Sequence, residues 1–210
     1  MGYFPFFVEL AGLEGLIIGG GPVALRKAEK LAAYQARLTV CAPEFLPEFE
    51  TLPGLILRRQ PFEPSLLEGK AFAVCAAGER ALNRRIALLC RERRIPVNAV
   101  DDQEACSFLF PALVKRGRLS IGISTGGASP SAAVFLKERI AASIPEDFGD
   151  LLEYLCEMRE RVKASVPDER RRAACLSRLL AACMEGTWPL DDAAWHEILR
   201  QTFPDTEAES

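Results

Sequence analysis

The chain has 210 residues, 49% hydrophobic and 26% charged, with a formal net charge of −3 at pH 7. This composition predicts a folded chain long enough for one ordinary domain and a smaller one, and it excludes a largely disordered protein. The negative charge argues against a general nucleic-acid-binding protein, and the lack of an apolar run of about 20 residues argues against a membrane partner.

The first 110 residues alternate short apolar strands with helices. Apolar residues 15–18 run into three glycines, and Pro22 opens an amphipathic helix that extends to about Tyr34. Strands that alternate with helices pair in parallel through right-handed crossovers, which predicts an α/β fold with a Rossmann-like, doubly wound sheet. Further strands are predicted at 37–43, 55–60, 72–77 and 95–100, with a helix at 81–94.

The pattern changes after residue 112. The sequence predicts two extended segments joined by the polar turn 115–118, and a helix follows from Pro130 to about Ile144. Three further helices are predicted at 150–164, 169–184 and 191–203, before a tail at 205–210 that we expect to be frayed. The predicted domains are therefore a Rossmann-like domain (1–112), a middle element (113–145) and a helical C-terminal domain (146–210), which is too thin to bury itself alone.

The turn after the first strand fits a dinucleotide-binding pattern. Gly19, Gly21 and Ala24 occupy the three small positions of G-x-G-x-x-G/A, which make the turn, admit a pyrophosphate to the backbone and allow close helix packing. Pro22 stands at the first helical position, where its missing N–H costs nothing, and the helix start directs free N–H groups at phosphates. The alternative is a glycine-rich turn in a Rossmann-like fold that binds nothing.

The second strand lacks the acidic residue that usually binds the adenosine ribose. Cys41 and Ala42 stand at its end, and Glu44 comes slightly later. We expect backbone groups of Ala42, Pro43 and Glu44 to hold the ribose instead. No arginine ends this strand to support NADP, so the expected cofactor is NAD.

Two later segments also carry chemistry. The sequence STGGASP (124–130) again places glycines before a helix start, with Ser129 as a candidate N-cap, and is either an anion site or an ordinary capped helix. Asp101 and Asp102 follow the fifth strand, at the edge where open α/β sheets bind ligands. A carboxylate there could act as a general base or bind a cation, or both residues could simply cap the following turn.

Cysteine and histidine usage limits the chemistry and the compartment. Seven cysteines without a C-x-x-C pair predict neither a disulfide framework nor a zinc site, and we assign no metal ligand. The N-terminus has no basic region before its apolar stretch, which argues against a signal peptide, so we expect a cytoplasmic protein. The one histidine, His196, lies in the helical tail, which leaves a serine or cysteine nucleophile without a base.

The order of these segments resembles the precorrin-2 dehydrogenase family, which includes the N-terminal module of multifunctional siroheme synthase. The resemblance runs from Tyr3 to about Pro145 through FPFFVEL, GLIIGGGPVALRKAEKL, LTVCAPE, VNAVDD and SFLFPALVKRGRLSIGISTGGASP. It implies an NAD-dependent oxidoreductase that converts precorrin-2 to sirohydrochlorin in siroheme biosynthesis, with Fe²⁺ insertion in some members. It also implies a homodimer paired through the middle element.

The resemblance implies a role for each matching residue. Asp101 matches the catalytic aspartate, whereas Asp102 is given no role. Thr125 stands where the enteric-type siroheme synthase has a serine that can be phosphorylated, so the hydroxyl is kept. The NAD pyrophosphate turn matches Gly19, Gly20, Gly21, Pro22 and Val23, and the adenosine side matches Pro43 and Glu44. The carboxylate-rich rim of precorrin-2 is expected to bind at Ser124, Thr125, Gly126 and Gly127.

Two other functions stay open at this point. A non-enzymatic NAD-sensing regulatory domain would also begin with a Rossmann turn, but it would need neither STGGASP nor a carboxylate after the fifth strand. An unrelated NAD oxidoreductase that acts on a small substrate is the other alternative. Ferrochelatase activity also stays open, because chelation needs only transient coordination and a base.

Overall fold

A computed structural model of the chain describes residues 3–186 and 188–203. The tail at 205–210, which we expect to be frayed, lies outside the described residues. The chain divides into two compact units, residues 1–110 and residues 111–210. The finer division of the second unit into a middle element and a helical domain stays a prediction.

The first unit is built on a parallel five-stranded sheet in the order β3-β2-β1-β4-β5. This confirms the predicted Rossmann-like fold. Strands β1 and β4 are nearly continuous apolar runs because helices cover both faces of the sheet. The bounds are β1 Glu14–Ile18, α1 Pro22–Ala32, β2 Arg37–Ala42, β3 Leu55–Arg59, β4 Phe72–Cys75, α2 Arg80–Glu92 and β5 Val97–Ala99.

Successive residues of β1 supply the two faces of this core. Leu16 and Ile18 belong to a cluster with α2, whereas Ile17 packs in a cluster with α1. The chain leaves β1 through α1 toward β2 and leaves β4 through α2 toward β5, although β1 and β4 are neighbours. The strand order therefore reverses between β1 and β4, and in open α/β sheets a ligand crevice forms at the carboxyl ends of such strands.

The fifth strand is shorter than the predicted range of 95–100. Helix α2 ends at Glu92, Arg94 just beyond it is left-handed (φ 57°), and the Ile95 N–H donates to the Cys90 carbonyl at 2.8 Å. Asp101 is also left-handed (φ 60°), so the chain turns away from the sheet directly after Ala99 and Val100. The C-terminal end of α2 and the turn at Asp101 therefore leave only three residues, Val97–Ala99, for strand β5.

In its described residues the second unit contains the four predicted helices and an antiparallel hairpin, which the two predicted extended segments form. Helices α4, α5 and α6 share a core of their own, whose eight buried members include Met158, Val162 and Leu179. The hairpin turn meets α4 backbone to backbone, because a Cβ added to Gly117 would lie 2.9 Å from the Gly149 Cα. The bounds are β6 Ala112–Arg116, β7 Leu119–Ile123, α3 Pro130–Ala142, α4 Phe148–Ser165, α5 Glu169–Glu185 and α6 Asp192–Thr202.

None of the helices in the described part of the chain combines the length and the hydropathy that a bilayer crossing requires.

Candidate functional site

A cavity of about 540 Å³ opens at the carboxyl ends of β1, β2, β3 and β4. Its position coincides with the reversal of strand order, where a ligand crevice is expected. Pro22 and Val23, which begin α1 directly after the glycine turn, do not line the cavity. The lining includes the predicted residues Gly19, Gly20, Gly21, Ala42, Pro43 and Glu44.

The first two glycines of the turn are required by the packing of the protein itself. Gly19 has φ 129°, and a Cβ at this position would lie 2.3 Å from the Ala76 carbonyl oxygen. A Cβ on Gly20 would lie 1.9 Å from the Glu44 carbonyl oxygen, and the Gly20 carbonyl accepts a hydrogen bond from the Leu46 N–H at 3.0 Å. The glycine turn is thus braced against the segments that follow β4 and β2.

Gly21 differs from its two neighbours because its surroundings are open. A Cβ added here would meet no described atom within 4 Å. Gly21 is the N-cap of α1 and has no side chain to accept the first helical N–H groups, and Pro22 has no N–H. The helix start therefore presents backbone donors and its positive dipole end to open space, an arrangement that fits a bound pyrophosphate.

We expect Gly20→Ala to destabilise the first unit. The added methyl group must displace the Glu44 carbonyl, and overpacking of this kind costs about 1–3 kcal/mol. Urea unfolding monitored by circular dichroism measures the loss. Gly21→Ala is the matched control, because its methyl group enters open space. Equal unfolding free energies for the two variants would contradict the packing role of Gly20.

Asn83 shapes the cavity wall after β4, and the sequence analysis misses it. Its Oδ1 accepts the Ala77 N–H at 3.0 Å, and its Nδ2 donates to the Ala77 carbonyl at 2.9 Å. Asn83 is only 3% exposed, and Ala77 and Gly78 line the cavity. The sequence does carry a signal, because Asn83 lies on the same face of the predicted helix as the apolar residues Ile86 and Cys90. An amide on a buried face needs hydrogen-bond partners, so it indicates a nearby loop that the amide holds.

The two adjacent aspartates after β5 have opposite environments. Asp101 is exposed, on left-handed backbone, and follows a strand two positions from β1 along the same edge of the sheet. Asp102 is 4% exposed, and its Oδ1 accepts the Ala105 N–H at 3.3 Å. Of the two, Asp102 is therefore the one that caps the following turn, and Asp101 is the one that can reach a ligand.

A partly buried cation, Lys27, lies on α1 and was not identified from the sequence. Its Nζ stands 3.7 Å from the centroid of the Phe110 ring. Burial lowers the pKa of Lys27 to about 8, and the neighbouring charges of Lys30 and Arg26 act in the same direction. Burial raises the pKa of the Cys106 thiol, which interacts electrostatically with Lys27. Lys27 therefore remains largely protonated at neutral pH and Cys106 remains a thiol.

In the second unit, hydroxyl groups organise the loop before α3. Thr125 Oγ1 donates to the Ser129 carbonyl at 3.0 Å and accepts the Ser129 N–H at 3.2 Å. Ser124 Oγ accepts the Gly126 N–H, and Ser129 Oγ caps the helix through the Ala132 N–H. Gly126 and Gly127 are both left-handed, with φ 63° and 88°. Substrate binding by residues 124–127 stays a prediction.

Two family models and several curated proteins match this chain. Residues 6–112 match a family described as putative NAD(P)-binding, and residues 116–143 match one described as sirohaem biosynthesis protein central. The siroheme synthase of Thioalkalivibrio sulfidiphilus is 38% identical over 86% of this chain, and that of Methylococcus capsulatus is 40% identical over 86%. The chain spans only 37% and 39% of the length of these two relatives.

The solved structure of SirC, a precorrin-2 dehydrogenase, matches nearly the whole fold. It aligns with a TM-score of 0.74 and 25% identity, covering 96% of this chain and 100% of that one. The chain belongs to the NAD(P)-binding family that residues 6–112 match, and its fold is similar to that of a precorrin-2 dehydrogenase. The description of this family supports NAD as the cofactor, and the open space and backbone donors at Gly21 fit the pyrophosphate of a dinucleotide.

Proposed function

We propose that the chain is an NAD-dependent dehydrogenase that oxidises precorrin-2 to sirohydrochlorin in siroheme biosynthesis. The observation that carries the proposal is the arrangement of one sheet edge. Open space beside Gly21 suits a dinucleotide, and two strands away stands the exposed carboxylate of Asp101. The similarity to SirC over the full length of that chain supports the choice of substrate.

In this proposal the residues of the chain divide the work. NAD⁺ supplies the hydride acceptor. The N–H groups at the start of α1 hold the pyrophosphate, and residues 42–44 hold the adenosine side. Asp101 accepts the proton that precorrin-2 loses as the hydride leaves, so the two-electron oxidation removes one hydride and one proton from the substrate. Ser124, Thr125, Gly126 and Gly127 bind substrate carboxylates through the glycine-rich helix start.

The proposal also covers the assembly, the compartment and the finer domain division. Within 113–145, the proposed middle element, α3 leaves Val134, Phe135 and Leu136 between 43% and 56% exposed, which suits pairing with a second copy of the chain. The helical domain is 146–210. All seven cysteines are free thiols, as expected for the reducing cytoplasm.

Phe135→Glu tests the homodimer. A charge in the centre of the proposed interface should convert a dimer into a monomer, as measured by light scattering coupled to size-exclusion chromatography. Glu138→Gln on the same helix is the control, because it introduces neither a new charge nor an apolar side chain. A wild-type monomer, or a dimer that persists in Phe135→Glu, would contradict pairing through α3.

The activity is tested by mixing the purified chain, NAD⁺ and precorrin-2 under anaerobic conditions. We expect NADH formation together with the sirohydrochlorin spectrum. NAD binding without turnover would favour the alternative of a regulatory NAD sensor. The described residues contain no group of three or more His, Cys, Asp or Glu side chains that could hold a metal. Incubating sirohydrochlorin with Fe²⁺, with and without the chain, measures metal insertion separately.

A further inference from the structure

The turn that carries Asp101 is closed onto β5 by hydrogen bonds of Ser107 and Asn98. The Val97 N–H donates to Ser107 Oγ at 2.7 Å, and the Ser107 N–H donates to the Val97 carbonyl at 2.8 Å. One step inward, Asn98 Nδ2 donates to the Phe108 carbonyl at 3.0 Å. These bonds fix both ends of a loop that has Asp101 and Asp102 near its tip.

Asp102 makes two contacts within this loop, one through its side chain and one through its backbone carbonyl. Its Oδ1 accepts the Ala105 N–H at 3.3 Å, and its backbone carbonyl lies 3.3 Å from Cys106 Sγ, which also accepts the Ala99 N–H at 3.2 Å. The remaining oxygen, Oδ2, is buried and has no hydrogen-bond partner in the described part of the chain. Oδ2 forms an ion pair with Arg84 of α2, whose Nη1 lies 3.5 Å away.

This arrangement gives Asp102 a task that differs from that of its neighbour. Asp101 stands on left-handed backbone, which aspartate tolerates better than most L-residues but which still carries strain unless neighbouring contacts favour it. The side chain of the next residue, Asp102, is fixed by its bond to the Ala105 N–H and by its ion pair with Arg84 of α2. Because Asp102 is 4% exposed, its own carboxylate is not presented to a ligand.

We propose that Asp102 is a positioning residue that holds the Asp101 carboxylate at the sheet edge for proton transfer. The proposal rests on the proposed dehydrogenase function. A general base must stand within hydrogen-bond distance of the proton that it removes, and a misplacement of about 1 Å can lower a rate about 100-fold. Arg84 acts with Asp102, because it compensates the buried charge and thereby sets the loop against α2.

Three variants of the full chain test this role. Asp102→Ala removes both the cap and the ion pair, and should lower kcat for precorrin-2 oxidation about 10- to 100-fold. Its Kd for NAD⁺ should stay within about twofold of the wild-type value, because the cavity that we assign to NAD is lined by other residues. Asp102→Asn keeps an oxygen that can accept the Ala105 N–H and should recover most of kcat. Glu92→Gln, which changes an exposed charge at the end of α2, should match the wild type within about twofold.

All rates are measured at a temperature where circular dichroism shows the variants to be folded, and hydrogen exchange of residues 97–108 is followed in parallel. Exchange in this loop should rise in Asp102→Ala and return toward the wild-type rate in Asp102→Asn. If Asp102→Ala does not fold, Asp102→Gly takes its place, because it also removes the capping oxygen and the ion pair but is tolerated better than alanine at a helix N-cap. The expected result is then reduced kcat with unchanged NAD⁺ affinity.

Two results overturn the positioning role while leaving the dehydrogenase proposal intact. One is wild-type kcat in Asp102→Ala or in its glycine replacement. The other is complete loss of kcat in a folded Asp102→Asn with unaltered loop exchange, which would make the Asp102 carboxylate itself the reacting group. A wild-type chain that binds NAD⁺ but does not oxidise precorrin-2 overturns the proposed function and the role together.

Discussion

Asp101→Asn should abolish precorrin-2 oxidation without weakening the fold. Asparagine tolerates left-handed backbone as readily as aspartate does, so the turn at φ 60° is preserved while the proton acceptor is lost. Loss of a general base typically lowers kcat by about 10²- to 10⁴-fold. The measurements are kcat from NADH formation and the free energy of unfolding from urea titration.

Asp101→Ala is the informative companion variant. It also removes the carboxylate, but alanine in the left-handed region adds about 1 kcal/mol of backbone strain. We therefore expect the same loss of kcat, with a lower unfolding free energy than in Asp101→Asn. NAD⁺ affinity should stay near the wild-type value in both. A variant with wild-type kcat would remove Asp101 from the mechanism.

Gly21→Asp should prevent NAD binding while the protein still folds. The new side chain meets no described atom within 4 Å, and φ at this position is −92°, which any residue adopts. Its carboxylate would stand against the pyrophosphate. Like charges about 4 Å apart repel by about 4 kcal/mol at an effective dielectric constant of about 20, so we expect Kd for NAD⁺ to rise at least about 100-fold.

Isothermal titration calorimetry of the folded variant measures this change in Kd. Gly21→Ala separates the effect of charge from that of volume, since it adds a methyl group alone and should weaken binding less. Raising the ionic strength should partly restore the affinity of Gly21→Asp but leave that of Gly21→Ala unchanged. Unaltered NAD⁺ affinity in Gly21→Asp would contradict the assignment of the pyrophosphate to this turn.

Much of the fold could be predicted because its signals are local. Strands buried on both faces read as short apolar runs, and the glycine turn with Pro22 marks the step from β1 to α1. The turn at 115–118 similarly marks the hairpin. Each of these features depends on residues that are adjacent in the sequence, so a window of ten residues contains the necessary information.

The finer arrangement of the site could not be predicted because it depends on distant contacts. Asp101 and Asp102 look alike in sequence, and only the approach of Arg84 from α2 and the bond to Ala105 distinguish the buried residue from the exposed one. The same is true of Gly20. A glycine there is explained by a carbonyl of Glu44, which lies at the end of a different strand.

The contact of Gly20 with the segment after β2 has a thermodynamic consequence. The glycine turn, where we propose that the diphosphate binds, is hydrogen-bonded through the Gly20 carbonyl to the Leu46 N–H. Leu46 lies just beyond the segment proposed to bind the adenosine, and the Glu44 carbonyl of that segment packs against Gly20. Few backbone residues then have to become ordered when the dinucleotide binds, so the site is preorganised and the conformational entropy cost of binding is small. The heat-capacity change of binding should accordingly match the apolar area that the dinucleotide itself covers, without an added contribution from coupled folding.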